Sequence, residues 1–374
     1  MIRYSFATGN TNPETFPAEA FGEAAARVLP TMAADLNQYP GKLGHEGLRR
    51  LMAEREFERE GVRIDPDHIV LTNGSMQAVT LAAETASEGN DLVVMEEYSY
   101  VGSIRAFDAM GIEMVGVPLD EEGMRMDALA DTLERLAQEG RPTPFIYTLA
   151  TYQNPTGAVM SRDRRLKLIE LARQYDCIVV EDNCYGDVHF DGDKPPALYA
   201  LDDDPRHIYL CSLSKIFAPG VRLGYLTASP ALLERVLARR HDAGPNTLAA
   251  AITYEYLHDK LWQHVEMAND ALKQKRDAML DALNRHLGNE CSFSHPPGGL
   301  FLWVRLPDDV DPGRVQEIAA ENEVSIAHGS DFHIRNDAGP FIRLAFGYPT
   351  LDEIEAGIAR LGDSVRQARG SGTH

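Results

Sequence analysis

Residues 207 to 227 read His207-Ile-Tyr-Leu-Cys-Ser-Leu-Ser-Lys215-Ile-Phe-Ala-Pro-Gly-Val-Arg222-Leu-Gly-Tyr-Leu-Thr227, two β-rich runs joined by a polar loop. The loop sets Lys215 among small hydroxyl residues, seven positions before Arg222. A lysine must lose its proton to attack an aldehyde, and a fixed cation nearby both lowers the lysine pKa and holds a phosphate group. The loop therefore indicates a lysine that bonds covalently to a phosphate-bearing cofactor. The alternative is a surface lysine and arginine in a turn, because Ser, Lys, Pro and Gly also make ordinary loops.

Short β-rich runs alternate with helical patterns between about residues 65 and 230. These runs are His68 to Thr72, Asp91 to Met95, Ile112 to Val117, Phe145 to Leu149, Cys177 to Glu181, His207 to Cys211 and Leu223 to Thr227. The intervening stretches carry apolar residues at helical spacing, so they would cover the faces of a sheet. This alternation predicts an α/β fold whose large domain contains a mostly parallel, seven-stranded sheet.

The pattern changes after a long helical region, Ala231 to Leu287. Three spaced β-rich runs follow, Leu300 to Leu306, Val324 to His328 and Phe341 to Phe346, and then a last helix from Leu351. This order predicts a smaller α+β domain, against which a loop-rich N-terminal arm would pack. The predicted divisions are the arm with part of the small domain (1–45), the large domain (46–270) and the C-terminal small domain (271–374).

Composition and charge exclude several classes of protein. The chain has 374 residues and a formal net charge of −21, which argues against binding nucleic acid or anionic membranes, because both require a basic face. The N-terminus lacks the apolar run of a signal peptide, and no stretch approaches the roughly 18 apolar residues of a membrane span. The four cysteines form no C-x-x-C pair and the twelve histidines show no metal-ligand spacing. We therefore expect reduced thiols, no metal and a cytoplasmic location.

In an open parallel sheet, ligands bind beyond the carboxyl ends of the strands, so the residues that follow each predicted strand are the candidates. Asn73-Gly74-Ser75-Met76 forms a glycine turn that opens a helix, whose free N–H groups favour an anion such as phosphate. Any capped helix has this pattern. Tyr98 and Tyr100 follow the next strand, where their rings either stack on a flat heterocycle or simply pack.

Three further strand ends carry polar groups. Asn154 precedes a proline that holds it extended, which aims its amide at a fixed acceptor or makes a plain turn. Asp182 and Tyr185 follow an apolar run, and a buried acid is costly unless it is paired. A protonated ring nitrogen would be such a partner, and a helix cap or structural salt bridge is the alternative. Arg343 has apolar residues on both sides and suggests a bidentate partner for a carboxylate, or an edge strand that exposes one arginine.

Further motifs extend the pattern over nearly the whole chain: Ser5-Phe-Ala-Thr-Gly9, Phe16-Pro17, Tyr39, Leu43-Gly44, Leu48-Arg49, Pro297-Gly-Gly-Leu-Phe-Leu-Trp303 and Phe341-Ile-Arg343. In this order they resemble the fold-type I pyridoxal phosphate aminotransferases of class I/II. The similar branch includes 2-aminoadipate and kynurenine aminotransferases and the catalytic domains of MocR-type regulators. The resemblance implies the PLP-transferase fold and pyridoxal 5'-phosphate as the cofactor.

The resemblance also implies a role for each matching residue. Lys215 would be the covalent anchor of the cofactor and the base that moves a proton, and Asp182 would keep the pyridine nitrogen protonated. Asn154 and Tyr185 would hydrogen-bond the ring 3-oxygen, and Tyr100 would stack on the ring. The residues that would hold the phosphate are Gly74, Ser75, Met76, Ser212, Ser214 and Arg222.

The substrate side of the site is implied in the same way. Arg343 would grip the α-carboxylate of an L-amino acid, with Asn154 and Gly9 in the same pocket. A tyrosine matching Tyr39 reaches in from the neighbouring subunit in this family, which implies a homodimer with shared active sites. The expected reaction is ping-pong transfer of the amino group to a 2-oxo acid. No motif places a second arginine for a distal carboxylate, which favours neutral or aromatic amino donors.

The sequence departs from the family pattern at three positions, and alternatives to transamination stay open. Tyr98 and Cys184 replace prolines common among relatives, and Met76 replaces a glutamine, so the pocket near the cofactor is expected to differ. The same scaffold also supports a racemase, a lyase or an oxidase. The chain is also similar to the effector-sensing module of a MocR-like regulator, but its acidity and its lack of a basic winged-helix segment argue against that function.

Overall fold

A seven-stranded sheet lies at the centre of the larger part of the molecule in the computed structural model, which describes residues 2–337 and 339–370. The strands of the described residues, numbered along the chain, are β1 (Tyr4–Ser5), β2 (Ile69–Thr72), β3 (Leu92–Glu96), β4 (Glu113–Val117), β5 (Leu119–Asp120), β6 (Gly123–Met124), β7 (Phe145–Thr148), β8 (Ile178–Asp182), β9 (His207–Ser212), β10 (Gly224–Ala228), β11 (Ser292–Phe293), β12 (Phe301–Arg305), β13 (Val324–Ser325), β14 (Ala327–His328) and β15 (Phe341–Ala345). The order in the large sheet is β2-β10-β9-β8-β7-β3-β4. Strand β10 runs antiparallel to both neighbours and the other pairs are parallel, which confirms the predicted α/β fold.

Helices cover both faces of this sheet. Over the described residues they are α1 (Ala18–Val28), α2 (Glu46–Glu60), α3 (Ser75–Ala86), α4 (Val101–Ala109), α5 (Met126–Gln138), α6 (Arg162–Gln174), α7 (Leu198–Leu201), α8 (Pro230–Ala238), α9 (Thr247–Leu257), α10 (Leu261–Leu287), α11 (Pro312–Glu321) and α12 (Leu351–Gly370). Apolar residues of α3, α4 and α8 form one core layer, and those of α5 and α6 form the opposite one. Because both faces are covered, strands β2, β3, β7 and β9 are buried along their whole length.

The C-terminal part forms a four-stranded sheet in the order β11-β12-β15-β14, flanked by α10, α11 and α12. The predicted run from Val324 to His328 is divided into two short strands. The first of them, β13, pairs in parallel with β1 of the N-terminal arm. Two residues carry too little periodicity to reveal a strand, so the sequence indicated only that the arm packs against this region.

Helix α10 connects the two sheets and contains the predicted domain boundary at residue 270. About a third of the way along it, the Asn269 side-chain amide donates to the carbonyl of Asp187, in the loop after β8, at 2.7 Å. Two turns later, Arg276 Nη1 donates to the carbonyl of Pro296, beside the four-stranded sheet, at 2.9 Å. The division at 270 stays a prediction, since one continuous helix crosses it.

A buried ionic cluster fixes α2 against the loop that follows β8. Arg55 and Arg59 both bond to Asp187, and Glu56 lies between them with ion pairs to each. Burial by itself raises the pKa of Asp187, but the two guanidinium groups outweigh it and hold the pKa below its usual range. Breaking such a cluster by removing one partner leaves an uncompensated buried charge, so it holds this loop in one position.

Two further predictions concern thiols and membranes. Cys177, Cys184, Cys211 and Cys291 are all buried and unpaired, as the sequence predicts. Within residues 2–337 and 339–370, no helix combines the length and apolar character that crossing a bilayer requires.

Candidate active site

A cavity opens at the carboxyl ends of β2, β3, β7, β8 and β9, at the edge of the sheet where the sequence predicts the site. It brings together nine of the predicted residues, namely Ser75, Met76, Tyr100, Asp182, Tyr185, Ser212, Ser214, Lys215 and Arg222. Leu149, Cys184 and Pro219 complete the wall. The parallel strands account for this convergence, because their carboxyl ends all lie at one edge of the sheet.

Lys215 reaches the cavity from the loop between β9 and β10. Its Nζ donates to the carbonyl of Gly9, in the arm, at 2.8 Å. Burial lowers the pKa of Lys215 to about 8, and the Arg343 and Arg222 cations act in the same direction. About a tenth of the amine is therefore unprotonated at about pH 7, far more than for an ordinary lysine, and this is the form that attacks a carbonyl carbon.

Arg222 lies against the turn that opens α3. Gly74 precedes this helix with a φ of +80°, a left-handed conformation that favours glycine. A Cβ on Gly74 would lie only 2.3 Å from Arg222 Nη2, so the guanidinium occupies the space a side chain would need. Arg222 forms no ion pair with a carboxylate anywhere in the described chain. The helix N-terminus, this guanidinium and the nearby hydroxyls of Ser75 and Ser212 together fit a phosphate.

Asp182 ends strand β8 and is only 3% exposed. Its Oδ2 accepts a hydrogen bond from the Tyr147 hydroxyl at 2.7 Å, and its Oδ1 accepts from the Cys184 backbone N–H at 3.3 Å. Burial raises the pKa of Asp182, while the hydrogen bonds from Cys184 and Tyr147 act to lower it. A buried acid at this position would stabilise a protonated ring nitrogen in the cavity.

Two residues beside Asp182 were missed as site residues. Tyr147 lies within an apolar strand, and its hydroxyl also bonds the Ser103 hydroxyl at 2.7 Å, a contact between residues 44 positions apart. Cys184 lines the cavity with Asp182 and Ser75, and its backbone N–H donates to Asp182 Oδ1. The sequence flagged Cys184 only as a departure from the family pattern. A polar hydroxyl inside an otherwise apolar β-rich run was the one available signal for Tyr147.

Arg343, on strand β15 of the four-stranded sheet, lies beside Asn154, in the loop after β7. Arg343 Nη1 donates to Asn154 Oδ1 at 2.9 Å, and Asn154 Nδ2 donates to the Tyr185 hydroxyl at 3.4 Å. The guanidinium carbon of Arg343 lies 4.1 Å from the ring centroid of Phe301 and 4.4 Å from that of Phe332. Arg343 is the third predicted cation, after Lys215 and Arg222. Through Asn154 it is connected to Tyr185, which lines the same cavity as Lys215.

The burial of Arg343 rules out the alternative of an exposed edge strand. The residue is 5% exposed, and β15 lies between β12 and β14. Burial lowers its pKa to about 10, and its Nε has no hydrogen-bond partner in the described chain. An unpaired buried donor is costly, so a guanidinium left in this state fits a carboxylate that arrives with a ligand.

Two aromatic residues that the sequence analysis singled out lie outside the cavity. Tyr39 is 87% exposed on the arm. The Tyr98 carbonyl accepts a hydrogen bond from Gln153 Nε2 at 2.6 Å, and its ring packs against Trp303 and His333. Tyr98 is not among the residues that line the cofactor cavity, and its effect on the pocket near the cofactor stays a prediction. Cys184 does line the cavity.

Several known proteins are similar to this chain in sequence and in fold. The family model described as aminotransferase class I and II matches residues 5–361. The chain is 36% identical to aromatic-amino-acid aminotransferase 1 of Thermococcus litoralis, over 97% of this chain and 88% of that protein. The structure of a multiple substrate aminotransferase from Thermococcus profundus superposes with a TM-score of 0.93 at 34% identity, covering 98% of this chain and 92% of that one. The structure of α-aminoadipate aminotransferase from Thermus thermophilus, solved with N-(5'-phosphopyridoxyl)-L-leucine, gives a TM-score of 0.92 at 30% identity, covering 98% and 93%.

Proposed function

Because this chain belongs to the class I and II aminotransferases and is a pyridoxal phosphate-dependent enzyme that transfers amino groups, we propose that Lys215, Asp182 and Arg343 are its principal active-site residues. The observation that carries this assignment is the charge balance of the site. Three buried or cavity-facing cations, Lys215, Arg222 and Arg343, surround the single carboxylate of Asp182, and none of the three forms an ion pair in the described chain. A cofactor phosphate and a substrate carboxylate supply the missing anions.

Each residue then has a defined task. When bound, pyridoxal phosphate supplies an electron sink for the bond that is broken at the substrate Cα. Lys215 would hold the cofactor through Nζ, and its free amine would move the proton from the substrate Cα to the cofactor carbon. Asp182 would keep a proton on the ring nitrogen, with its own oxygens held by Tyr147 and Cys184.

The remaining groups orient the reactants. Asn154 and Tyr185 are proposed to donate to the ring 3-oxygen, and Tyr100 to stack on the ring. The Arg343 guanidinium holds the α-carboxylate with Asn154 beside it, and Gly9 allows the arm to approach, because a Cβ there would lie 2.7 Å from the Phe301 ring. The phosphate is held by the turn at Gly74, by Ser75, Met76, Ser212 and Ser214, and by Arg222.

We infer that the amino donor is neutral or aromatic. The Phe301 and Phe332 rings flank Arg343, and Arg222, at the phosphate end, is the one arginine among the described residues that line the cavity. With 2-oxoglutarate as acceptor, kcat/KM for phenylalanine or tyrosine is expected to exceed that for aspartate at least about tenfold, because a buried distal carboxylate without a partner is costly.

A panel of amino donors, followed by release of the 2-oxo acid, measures this preference. Equal or higher kcat/KM for aspartate or 2-aminoadipate would contradict the inferred donor class. Turnover beyond a single release of oxo acid per active site must require the acceptor oxo acid. Oxo acid and free ammonia without an acceptor would contradict the transfer reaction itself, so the two conclusions are tested separately.

We further propose a homodimer in which Tyr39 reaches the partner's active site. Tyr39 is 87% exposed, and Leu29 and Leu36 of the same segment are 47% and 48% exposed. Light scattering is expected to give twice the chain mass of 41.4 kDa. Tyr39→Ala is expected to weaken retention of pyridoxal phosphate about tenfold, whereas the control Tyr348→Ala leaves it unchanged. A monomer that retains full activity would overturn this proposal.

We also propose a cytoplasmic location. Four buried, unpaired cysteines are compatible with a compartment that keeps thiols reduced. Fractionation of the source cells, with the activity followed in each fraction, checks it.

A further inference from the structure

A second cleft, of about 670 Å³, lies between loops of the seven-stranded sheet and one face of the four-stranded sheet. It shares no lining residue with the cofactor cavity. Its wall contains a stacked aromatic pair, Trp303 and Phe341, whose ring centroids are 5.1 Å apart with an angle of 13° between the planes. The Tyr98 ring stands edge-on to both, at 5.6 and 5.9 Å. All three rings are half-buried, so part of each faces the cleft.

The cleft lies beside the substrate arginine but is separate from it. Trp303 of β12 is the direct antiparallel partner of Arg343 in β15, so both side chains project from the same face of the small sheet. Arg343 is buried towards Asn154, whereas Trp303 borders the open cleft. Tyr98 therefore lines this cleft and not the cofactor cavity, and the proposed cofactor site gives it no role.

The charges around the cleft do not balance. Arg164 pairs with Asp120, and Arg305 pairs with Asp308, so these charges are compensated. Glu97 and Glu121 also line the cleft, and neither forms an ion pair in the part of the chain that the structure describes. The lining of the cleft thus contains two carboxylates without ion-pair partners, half-buried Glu97 next to Tyr98 in the chain and exposed Glu121.

We propose that this cleft binds a small organic cation with an apolar body, of the arylalkylammonium class. The faces of aromatic rings attract cations through their quadrupole, and the attraction is strongest when the cation is partly desolvated. Glu97 and Glu121 supply the countercharge, and Trp303 and Phe341 contact the apolar body. The ligand contacts both sheets and leaves Lys215 and the cofactor cavity free.

The test uses the holoenzyme and benzyltrimethylammonium chloride as the probe. A quaternary ammonium has no N–H group, so it cannot react with the cofactor or serve as an amino donor. The chain has two tryptophans, and Trp262 bonds Glu58 on α2, away from the cleft. In Trp262→Phe, the remaining tryptophan is Trp303, and its fluorescence is expected to change saturably at about millimolar probe or below. In Trp303→Phe, the Trp262 signal is expected to stay constant.

Calorimetry on the same protein measures binding without a tryptophan signal. The double variant Glu97→Gln, Glu121→Gln is expected to bind the probe at least about fivefold more weakly, by loss of the countercharge. The matched control is Glu122→Gln, next in the chain to Glu121 and already paired with Arg164, which is expected to bind normally. No saturable binding, unchanged affinity in the double variant, or equal affinity for the neutral benzyl alcohol would each overturn the proposal.

Discussion

Replacing Lys215 with alanine is expected to abolish covalent attachment of pyridoxal phosphate and to lower kcat/KM at least about 10⁴-fold, because one side chain supplies both the anchor and the base. No other lysine lines the cavity among the described residues. Borohydride reduction followed by mass spectrometry locates the attachment: the modified peptide contains Lys215 in the natural protein, and the variant carries no modification. Lys273→Ala, a surface lysine paired with Asp191, serves as the control and keeps the modification. Turnover that persists in Lys215→Ala would contradict the assignment.

The pH dependence of cofactor uptake tests the same residue in the natural protein. The pKa of Lys215 is lowered from the ordinary 10.5 to about 8, so the neutral amine predominates above about pH 8 and declines below it. In cofactor-depleted enzyme, the rate of uptake is expected to fall about tenfold for each pH unit below this value and to level off above it. Stopped-flow absorbance across pH 6 to about 10 measures the profile. A midpoint near 10.5 would show that burial and the neighbouring arginines leave the amine unchanged.

Arg343→Leu is expected to lower kcat/KM for amino acid donors about 10²- to 10³-fold, since it removes one partner of a buried charge pair formed with substrate. Arg343→Lys keeps the charge but loses the planar fork, and is expected to recover only part of the activity. The specific readout is benzylamine, an amine without a carboxylate, whose slow reaction should be nearly unaffected by either change.

Two controls accompany the Arg343 variants, one for reaction rates and one for an intact cofactor cavity. Arg314→Leu removes an exposed arginine that pairs with Glu317, and is expected to leave all rates unchanged. Retention of pyridoxal phosphate by Arg343→Leu shows that the cofactor cavity is intact. An equal loss of rate for phenylalanine and benzylamine would mean that Arg343 acts through the fold and not through the carboxylate.

The local pattern of the sequence predicts the large sheet and most of the cofactor site. All seven predicted runs are strands of one sheet, with ends displaced by at most one residue, because β-rich apolar runs between helical stretches are a strong signal. The candidates were the polar residues after each strand, and the topology of a parallel sheet is enough to bring Ser75, Asp182 and Lys215 together.

What the sequence could not predict depends on contacts between distant residues. The position of Tyr98 is set by pairing with His333, some 235 positions away, and the donors to Asp182 include Tyr147, from the neighbouring strand. The ionic cluster of Arg55, Glu56 and Asp187 joins a helix to a loop far along the chain. Such contacts have no local periodicity, so only the folded chain reveals them.

Helix α10 connects the large sheet to the two segments proposed to contact the substrate, the N-terminal arm and the chain around β15. At a rise of about 1.5 Å per residue, the stretch from Asn269 to the end of α10 at Leu287 is about 27 Å long, so a tilt of about 5° at Asn269 displaces Leu287 by about 2.4 Å. Asn269 is the pivot, because it bonds Asp187 in the loop after β8 of the large sheet. Further along the helix, Lys275 bonds both Asn12 of the N-terminal arm and the carbonyl of Gly347 after β15. The part of α10 beyond Asn269 is thus attached, through Lys275, to both the N-terminal arm and the segment after β15. We expect a small rotation of α10 at Asn269 to shift the N-terminal arm, which bears Gly9, together with the strand that bears Arg343.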